Sequence, residues 1–448
     1  MKSLSRSVTI MFLFDLLILS ITTYAVGNFF GFSFKINLAV TIFTTISGLI
    51  VLFLKGYYKI REFNITAWNF YRLLEGVIFT NIPALMFLYF FFEKETLLRF
   101  TLMNIVVIYV LLCLYRLCFH YYLFHIKKIK NILILGTDER ARIIADEIQN
   151  KYALKMNVVG FVKETANDEE LVSDNKFPVF TGLTTLKDII KEQKIDIVVI
   201  AQPTELIMTV PRNVKLYKMP EFYEMVTGKY YIDDKTITEL FYQYVKHRSF
   251  IYRICKRIFD NVAAIIILTV TLPITAYVAI RVKLTDGESP FYTQTRVGKN
   301  GKTFECYKLR TMWANNYVPK EGHIKEDTAG INDDRVIPWC KFVRKARFDE
   351  IPQMINILKG EMSIVGPRAE WEDLVKIYSK EIPFYTSRQW VRTGWTGWAQ
   401  INQGHCVSND DVTEKLQYDL YFLEHRNVLW EISILIKAVF MALGGRHE

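Results

Sequence analysis

Arg344-Lys345-Ala346-Arg347-Phe348-Asp349-Glu350-Ile351-Pro352-Gln353 sets two adjacent carboxylates among three cations. Ile351, Met354, Ile355 and Leu358 then recur at helical spacing, and Gly360 stands where such a helix would stop. The pattern predicts Asp349 at the N-cap and Pro352 in the first turn, where a missing N–H costs little. A helix N-terminus presents free N–H groups and the positive end of a dipole, so it attracts anions and keeps a carboxylate ionised. An ionised carboxylate facing a phosphate held by arginines can act as a nucleophile. The same pair also fits plain capping and dipole complementation with no chemistry at all.

Other segments carry further groups suited to phosphate. Residues 286–299 read as an extended segment with turns, and Lys308-Leu309-Arg310 is a compact basic patch. Gly366-Pro367-Arg368 follows the helix, and Arg392 precedes Thr393-Gly394-Trp395. Arginine offers phosphate a two-pronged fork, which makes Arg344, Arg368, Arg310 and Arg392 candidate phosphate contacts, with Lys308 a point charge beside them. For each of these cations the plain alternative is a surface or lipid-facing charge.

The elements that must carry these groups are membrane-like. A chain of 448 residues allows two or three domains, and 51% hydrophobic with 15% aromatic residues exceeds the usual soluble composition. The net charge of +10 suits an anionic membrane face or a nucleotide-bearing substrate. No nucleic-acid motif is present, so nucleic acid is not expected as a partner. Cys113, Cys118, Cys255, Cys306, Cys340 and Cys406 have neither metal-ligand nor disulfide-framework spacing.

Four apolar segments, residues 8–26, 38–54, 73–92 and 98–117, approach the length that crosses a bilayer. Lys2, Arg6, Lys55, Lys59, Arg61, Arg72, Lys127, Lys128 and Lys130 flank them on one side, which places both ends of this bundle in the cytoplasm. Glu75 and Arg116 lie near span ends, placed to snorkel. Residues 1–126 are therefore read as a four-span bundle.

Residues 127–226 alternate strand and helix, as in a small parallel α/β domain. The strand ending at Leu135 leads into Gly136-Thr137-Asp138, but only the first glycine of a dinucleotide fingerprint is present. A structural or regulatory role is expected there, and no NAD. A polar connector, 227–250, leads to a last domain, 251–448.

Residues 261–280 hold no charge, yet Arg253, Lys256 and Arg257 precede them and Arg281 and Lys283 follow. Positive charge at both ends favours one side of the membrane for both. Leu272-Pro273 would break the helix, giving a re-entrant element over about 258–281. A kinked spanning helix and a buried helix are the alternatives.

The ordered motifs from Lys308 through Asp349-Glu350 and Gly366-Pro367-Arg368 to Arg392 closely resemble the bacterial sugar transferase family, the polyprenyl-phosphate phosphoglycosyltransferases. The resemblance covers residues from about 252 onward. The N-terminal bundle and degenerate Rossmann-like domain look like the larger polytopic members that start capsule, exopolysaccharide or O-antigen synthesis. The resemblance implies a monotopic catalytic domain on the cytoplasmic face of a bacterial inner membrane. It implies transfer of a sugar-1-phosphate from a nucleoside diphosphate sugar to polyprenyl phosphate, releasing UMP where uridine is the base. Asp349 would be the nucleophile of a covalent intermediate, Glu350 its partner in holding Mg²⁺, and Arg344 the phosphate-binding arginine. Membrane lipids, a homodimer and downstream glycosyltransferases are the implied further partners. Leu272 stands where many members have serine, and Thr393 where proline is usual.

Two other classes compete. A nucleotide-sugar oxidoreductase or dehydratase would use the middle domain, against which the missing glycines count. A non-catalytic scaffold of polysaccharide assembly would keep the fold without the chemistry.

Overall fold

Along the first four helices, large apolar side chains face outward and polar ones turn inward. These are α1 (Lys2–Phe29), α2 (Phe34–Leu54), α3 (Ala67–Leu88) and α4 (Lys94–Tyr121). Ile21, Phe34, Met86 and Leu98 are exposed, whereas Asp15, Thr23, Asn37, Asn81 and Asn104 are almost wholly buried. Such a surface suits hydrocarbon rather than water, and all four helices are long and apolar enough to cross a membrane. Each packs on two of the others, and the inner polar groups join them: Asn104 Nδ2 donates to Asn81 Oδ1 at 2.7 Å.

The structure, a computed structural model, describes residues 2–54, 57, 67–122, 129–149, 156–163, 177–181, 186–202, 210–246, 250–313, 335–404 and 408–443. It divides into two compact units, residues 1–227 and 228–448.

Arg116 does not snorkel, which corrects that expectation. Its guanidinium donates to Asp15 Oδ2 at 2.6 Å and lies over the rings of Tyr57 and Tyr115. An inward partner of opposite charge holds it where a lone charge would reach for water.

The rest of the first unit is a parallel sheet in the order β3-β2-β1-β4-β5. The strands are β1 (Lys130–Leu135), β2 (Met156–Lys163), β3 (Val179–Thr181), β4 (Ile197–Ile200) and β5 (Lys215–Lys218). Helices α5 (Glu139–Gln149), α6 (Leu186–Glu192) and α7 (Met219–Thr227) accompany them. Ile132–Leu135 is wholly buried, as a central parallel strand requires. After Gly136, at φ 116°, Asp138 Oδ1 accepts the Ala141 N–H at 3.1 Å. A carboxylate therefore caps α5 where a dinucleotide fold brings pyrophosphate close to glycine backbone.

In the second unit the stretch 227–250, read as a polar connector, carries helix α8 (Asp234–Lys246). Tyr230, Ile237 and Leu240 enter the core, so residues 228–246 of this segment are part of the folded unit. Helix α9 (Phe250–Asp286) follows, then the hairpin β6 (Phe291–Val297) and β7 (Thr303–Leu309). Next come α10 (Cys340–Lys345), α11 (Gln353–Lys359), β8 (Ser363–Val365), β9 (Glu370–Trp371) and α12 (Glu372–Glu381). The chain continues through β10 (Gly394–Thr396), α13 (Trp398–Asn402), α14 (Asn409–His425) and α15 (Val428–Leu443). Strand β9 joins the β6–β7 hairpin, while β8 and β10 pair in parallel. The core gathers Met354, Ile357, Ile364, Leu416, Leu420 and Ile434 from four of these elements.

Helix α9 corrects the expected break. Helical structure runs through Leu272 and Pro273 without interruption. Proline deletes one backbone bond and leaves the ladder intact on either side, so it can bend a helix without ending it.

Candidate active site

Arg347 takes the left-handed conformation, φ 56°, and turns the chain out of α10. A 3₁₀ turn, Phe348–Glu350, follows at once. Pro352 has no N–H to give back, so the α-helical ladder begins only at Gln353. Asp349 is thus in a separate turn upstream of α11, and Pro352 takes the capping position, which corrects the N-cap expectation. Gly360, at φ 87°, ends α11 as the sequence predicts.

Long-range bonds hold this short helix. Arg257 of α9 donates to the carbonyls of Ile357 and Leu358, each at 2.8 Å. Asn356 Nδ2 donates to the Glu305 carbonyl at 2.7 Å, and its Oδ1 accepts the Tyr307 N–H at 3.1 Å. The acidic turn is thereby tied to β7 and to the apolar helix together.

Three cations converge on Glu350, which is only 6% exposed. Lys308 Nζ lies 3.5 Å from Oε1, Arg368 Nη2 3.6 Å from Oε1, and Arg347 Nη1 3.4 Å from Oε2. Burial alone would push this carboxyl up, but Lys308, Arg368 and Arg347 outweigh it and hold it well below the usual carboxylate range. Asp349 behaves oppositely. Burial, then the charge of Glu350, pushes it up to about 6, against the opposing pull of Lys308, Arg344 and Arg347. The field at the start of this helix was expected to keep Asp349 ionised; burial and the Glu350 charge instead raise Asp349, and the low carboxyl is Glu350. Asp349 accepts no hydrogen bond from any described residue.

Of the remaining candidates, Arg344 Nη1 donates to Thr311 Oγ1 at 3.4 Å, and its charge opposes the rise at Asp349. Arg310 is already paired with a carboxylate. Its Nη2 donates to Asp286 Oδ1 at 2.6 Å, Nη1 to Asp286 Oδ2, and Nε to the Ser289 carbonyl at 2.7 Å. Arg392 makes no side-chain hydrogen bond or ion pair among the described residues. Its strand lies against the Arg368 loop: Gly394 N–H donates to the Pro367 carbonyl at 2.8 Å, and Gly366 N–H to Thr396 at 2.9 Å. Leu272 and Pro273 are exposed in the middle of α9, away from these groups.

Sequence reasoning missed a second ring of charges. Arg347 was visible three residues before Glu350, within helical reach. Arg296, Arg388 with Asp419, and Glu370 with Lys415 were not, because their partners lie far along the chain, and of the partners of Asp260 only Lys256 is near. Asp260, wholly buried, accepts from Lys256 Nζ at 2.8 Å, Ser363 Oγ at 3.1 Å and the Ile364 N–H at 3.1 Å.

The two carboxylates offer hard oxygen donors, and Asp349's oxygens are not engaged by any described donor. That set fits a Mg²⁺ ion.

A family model described as bacterial sugar transferase matches residues 251–445. The exopolysaccharide production protein ExoY of Sinorhizobium fredii is 35% identical over 196 residues, 42% of this chain and 84% of that protein. This chain belongs to the bacterial sugar transferase family.

Other sugar transferase relatives extend further. The UDP-N-acetylgalactosamine-undecaprenyl-phosphate N-acetylgalactosaminephosphotransferase of Aeromonas hydrophila is 34% identical over 233 residues, 52% of this chain. The match spans about half of that relative's length, 53%. The undecaprenyl-phosphate galactose phosphotransferase of Salmonella typhimurium is 27% identical over 345 residues, 70% of this chain and 68% of that protein. A second family model, described as a CoA-binding domain, matches residues 54–218. The site described above lies wholly within the sugar transferase match.

Proposed function

We propose that this protein transfers a sugar-1-phosphate from a UDP-sugar to undecaprenyl phosphate, through a covalent intermediate on Asp349. The observation that carries this reading is the division of labour in the acidic turn. Glu350 has gathered the cations, while Asp349 beside it accepts no hydrogen bond from the described residues and is raised only to about 6, so it is largely ionised near neutrality. Names of the relatives, which specify undecaprenyl phosphate and UDP-sugars, support the substrate class.

In the first half-reaction an Asp349 oxygen attacks the β-phosphorus of the donor. A new P–O bond forms to the carboxylate, the bond to the bridging oxygen breaks, and UMP leaves with that oxygen and its electron pair. In the second, a phosphate oxygen of undecaprenyl phosphate attacks the same phosphorus and returns Asp349 as carboxylate. Arg368, Lys308 and Arg347 stabilise charge next to the reacting phosphorus, with Arg344 and Arg392 as further phosphate contacts. Asp349 and Glu350 are the residues that would hold Mg²⁺, which when bound neutralises diphosphate charge.

For topology we propose four spans, α1–α4, and a re-entrant α9, with the acidic turn on the cytoplasmic face. Side chains on both sides of Pro273 pack onto the second unit. Ala264, Ile267 and Leu268 join Ile357 and Met362, while Val278 and Val282 join Leu309 and Cys340. In a straight helix Arg257 and Val282 would stand about 37 Å apart. A bend at the proline would bring both ends to one body and leave Val270, Leu272 and Tyr277, all exposed, to the lipid.

Purified protein incubated with a panel of UDP-sugars, undecaprenyl phosphate and Mg²⁺ should form UMP with at least one donor. Radiolabelled donor, quenched without acceptor, should leave label on Asp349. Full turnover by Asp349→Asn would overturn the covalent reading.

A further inference from the structure

We infer that Arg388 is a positioning residue for Arg368, acting through the backbone from behind the site. The inference rests on the transferase reading only for its kinetic test. Arg368 reaches Glu350 with its side chain, but its own main chain has to be held for that reach to be reproducible. Arg388 Nη2 donates to the Arg368 carbonyl at 3.0 Å. Arg296 Nη1 donates to the next carbonyl, that of Ala369, also at 3.0 Å. Two buried guanidinium groups therefore grip consecutive peptide units at the root of the substrate-facing arginine.

Arg388 is itself fixed on every prong. It is 4% exposed. Its Nε donates to Asp419 Oδ2 at 2.9 Å, Nη2 lies 2.7 Å from the same oxygen, and Nη1 donates to the Tyr385 hydroxyl at 3.0 Å. Glu370, two residues beyond Arg368, lies 3.8 Å from Nη1 and is paired with Lys415. Lys415 and Asp419 are four apart on α14, on one helical face. Helix α14 thus anchors the loop after β8 at two points, through Arg388 and directly through Lys415.

A buried ion pair commonly adds little net stability over apolar packing. What it adds is geometry, because a desolvated guanidinium fork accepts few orientations. Here that geometry is delivered to one carbonyl, that of the arginine facing Glu350. Lysine at 388 would keep the charge and lose the fork.

The test is a double-mutant cycle on the full-length protein. Arg388→Lys should fold, lose about 10- to 100-fold in kcat for UMP release and change donor KM less than about threefold. In an Arg368→Ala background the same substitution should cost almost nothing more, because its effect passes through Arg368. A cryo-EM map of Arg388→Lys in nanodiscs should show the Arg368 guanidinium displaced from Glu350. That readout holds whatever the donor, so a protein inactive with every UDP-sugar would sink the transferase reading and leave this one decided by the map. Wild-type kcat, losses that add in the cycle, or an unmoved Arg368 would each overturn it. If Arg388→Lys does not fold, Asp419→Asn replaces it in the same cycle. If neither folds, the network is a folding element and the proposal falls.

Discussion

Arg368 Nη2 stands 3.6 Å from Glu350 Oε1, one of three cations that face that carboxylate. Asp349, its chain neighbour, receives the repulsion of Glu350 without a hydrogen bond from the described residues. The two carboxyls therefore move in opposite directions from their ordinary values.

That opposition separates activity from stability at Asp349. Its folded-state pKa is raised to about 6, so the native state holds the proton more tightly than the unfolded chain. Ionising it costs stability as pH rises from about 4 to 6, and the cost is complete above that. Glu350 acts the other way, stabilising above its unfolded pKa and losing that contribution in acid. Asp349→Asn removes only the first effect. With metal chelated, the variant should be about 1–3 kcal/mol more stable than the parent at pH 7.5. The gain should fade below about pH 4, and UMP release should be absent at every pH. In the parent, UMP release should rise with pH as Asp349 ionises, along a limb that bound Mg²⁺ would draw below 6. Thermal melts across pH, alongside rates, check both; a destabilised Asp349→Asn would show that its charge is matched in the folded state.

Much of this site was legible locally, and its partnerships were not. The Asp349-Glu350 pair, the helix after it and its glycine stop can be read from spacing of a few residues. So can the four apolar segments, whose composition alone suits a bilayer. The N-cap placement failed because a single non-glycine residue, Arg347, adopts a left-handed turn that propensity does not favour. Arg116 was misplaced, and the Asp286 partner of Arg310 went unseen, for another reason. Sequence shows the charge of a side chain but not a partner 101 or 24 residues away. The same blindness hid Arg388 and Asp419, whose types are ordinary and whose pairing exists only after the core forms.

Arg310 gives a test of that distinction. Its guanidinium meets both oxygens of Asp286 and the Ser289 carbonyl, tying the end of α9 to β7. Arg310→Lys should lower stability by about 1–3 kcal/mol, as expected when a bidentate fork becomes a point charge. Donor KM should stay within about twofold of the parent. A KM raised tenfold with unchanged melting would instead place Arg310 on the substrate phosphate.

Asp260 ties the apolar helix to the strand before the Arg368 loop. It is wholly buried and serves Lys256, Ser363 and the Ile364 amide. Asp260→Ala leaves these donors without an acceptor and should cost about 3–5 kcal/mol, the range for breaking a buried pair. Asp260→Asn keeps the shape and one acceptor oxygen and should cost about half as much. Melting in detergent micelles reads both; equal, small losses would mean that the helix is held by packing alone.

The glycines of the loop behind Arg368 should be the least replaceable residues near the site. A Cβ at Gly394 would lie 2.1 Å from the Gly366 amide nitrogen and 2.4 Å from the Thr396 carbonyl oxygen, both main-chain atoms. At Gly366 it would meet the Arg392 carbonyl oxygen at 2.5 Å. Two backbones thus touch where β8 and β10 pair, and this contact sets Arg392 beside the loop of Arg368. Gly394→Ala has to part them, at a cost of about 3 kcal/mol or more. Gly360 is a useful contrast: its φ of 87° disfavours alanine, but the nearest atoms, at 3.3 Å and beyond, belong to the Arg257 guanidinium and not to main chain. Gly360→Ala should therefore cost only about 1 kcal/mol. Side-by-side melts should rank Gly394→Ala far below Gly360→Ala. UMP release should collapse in the first and persist in the second. A reversed order would mean that the two strands yield readily and that backbone contact does not hold the arginines in place.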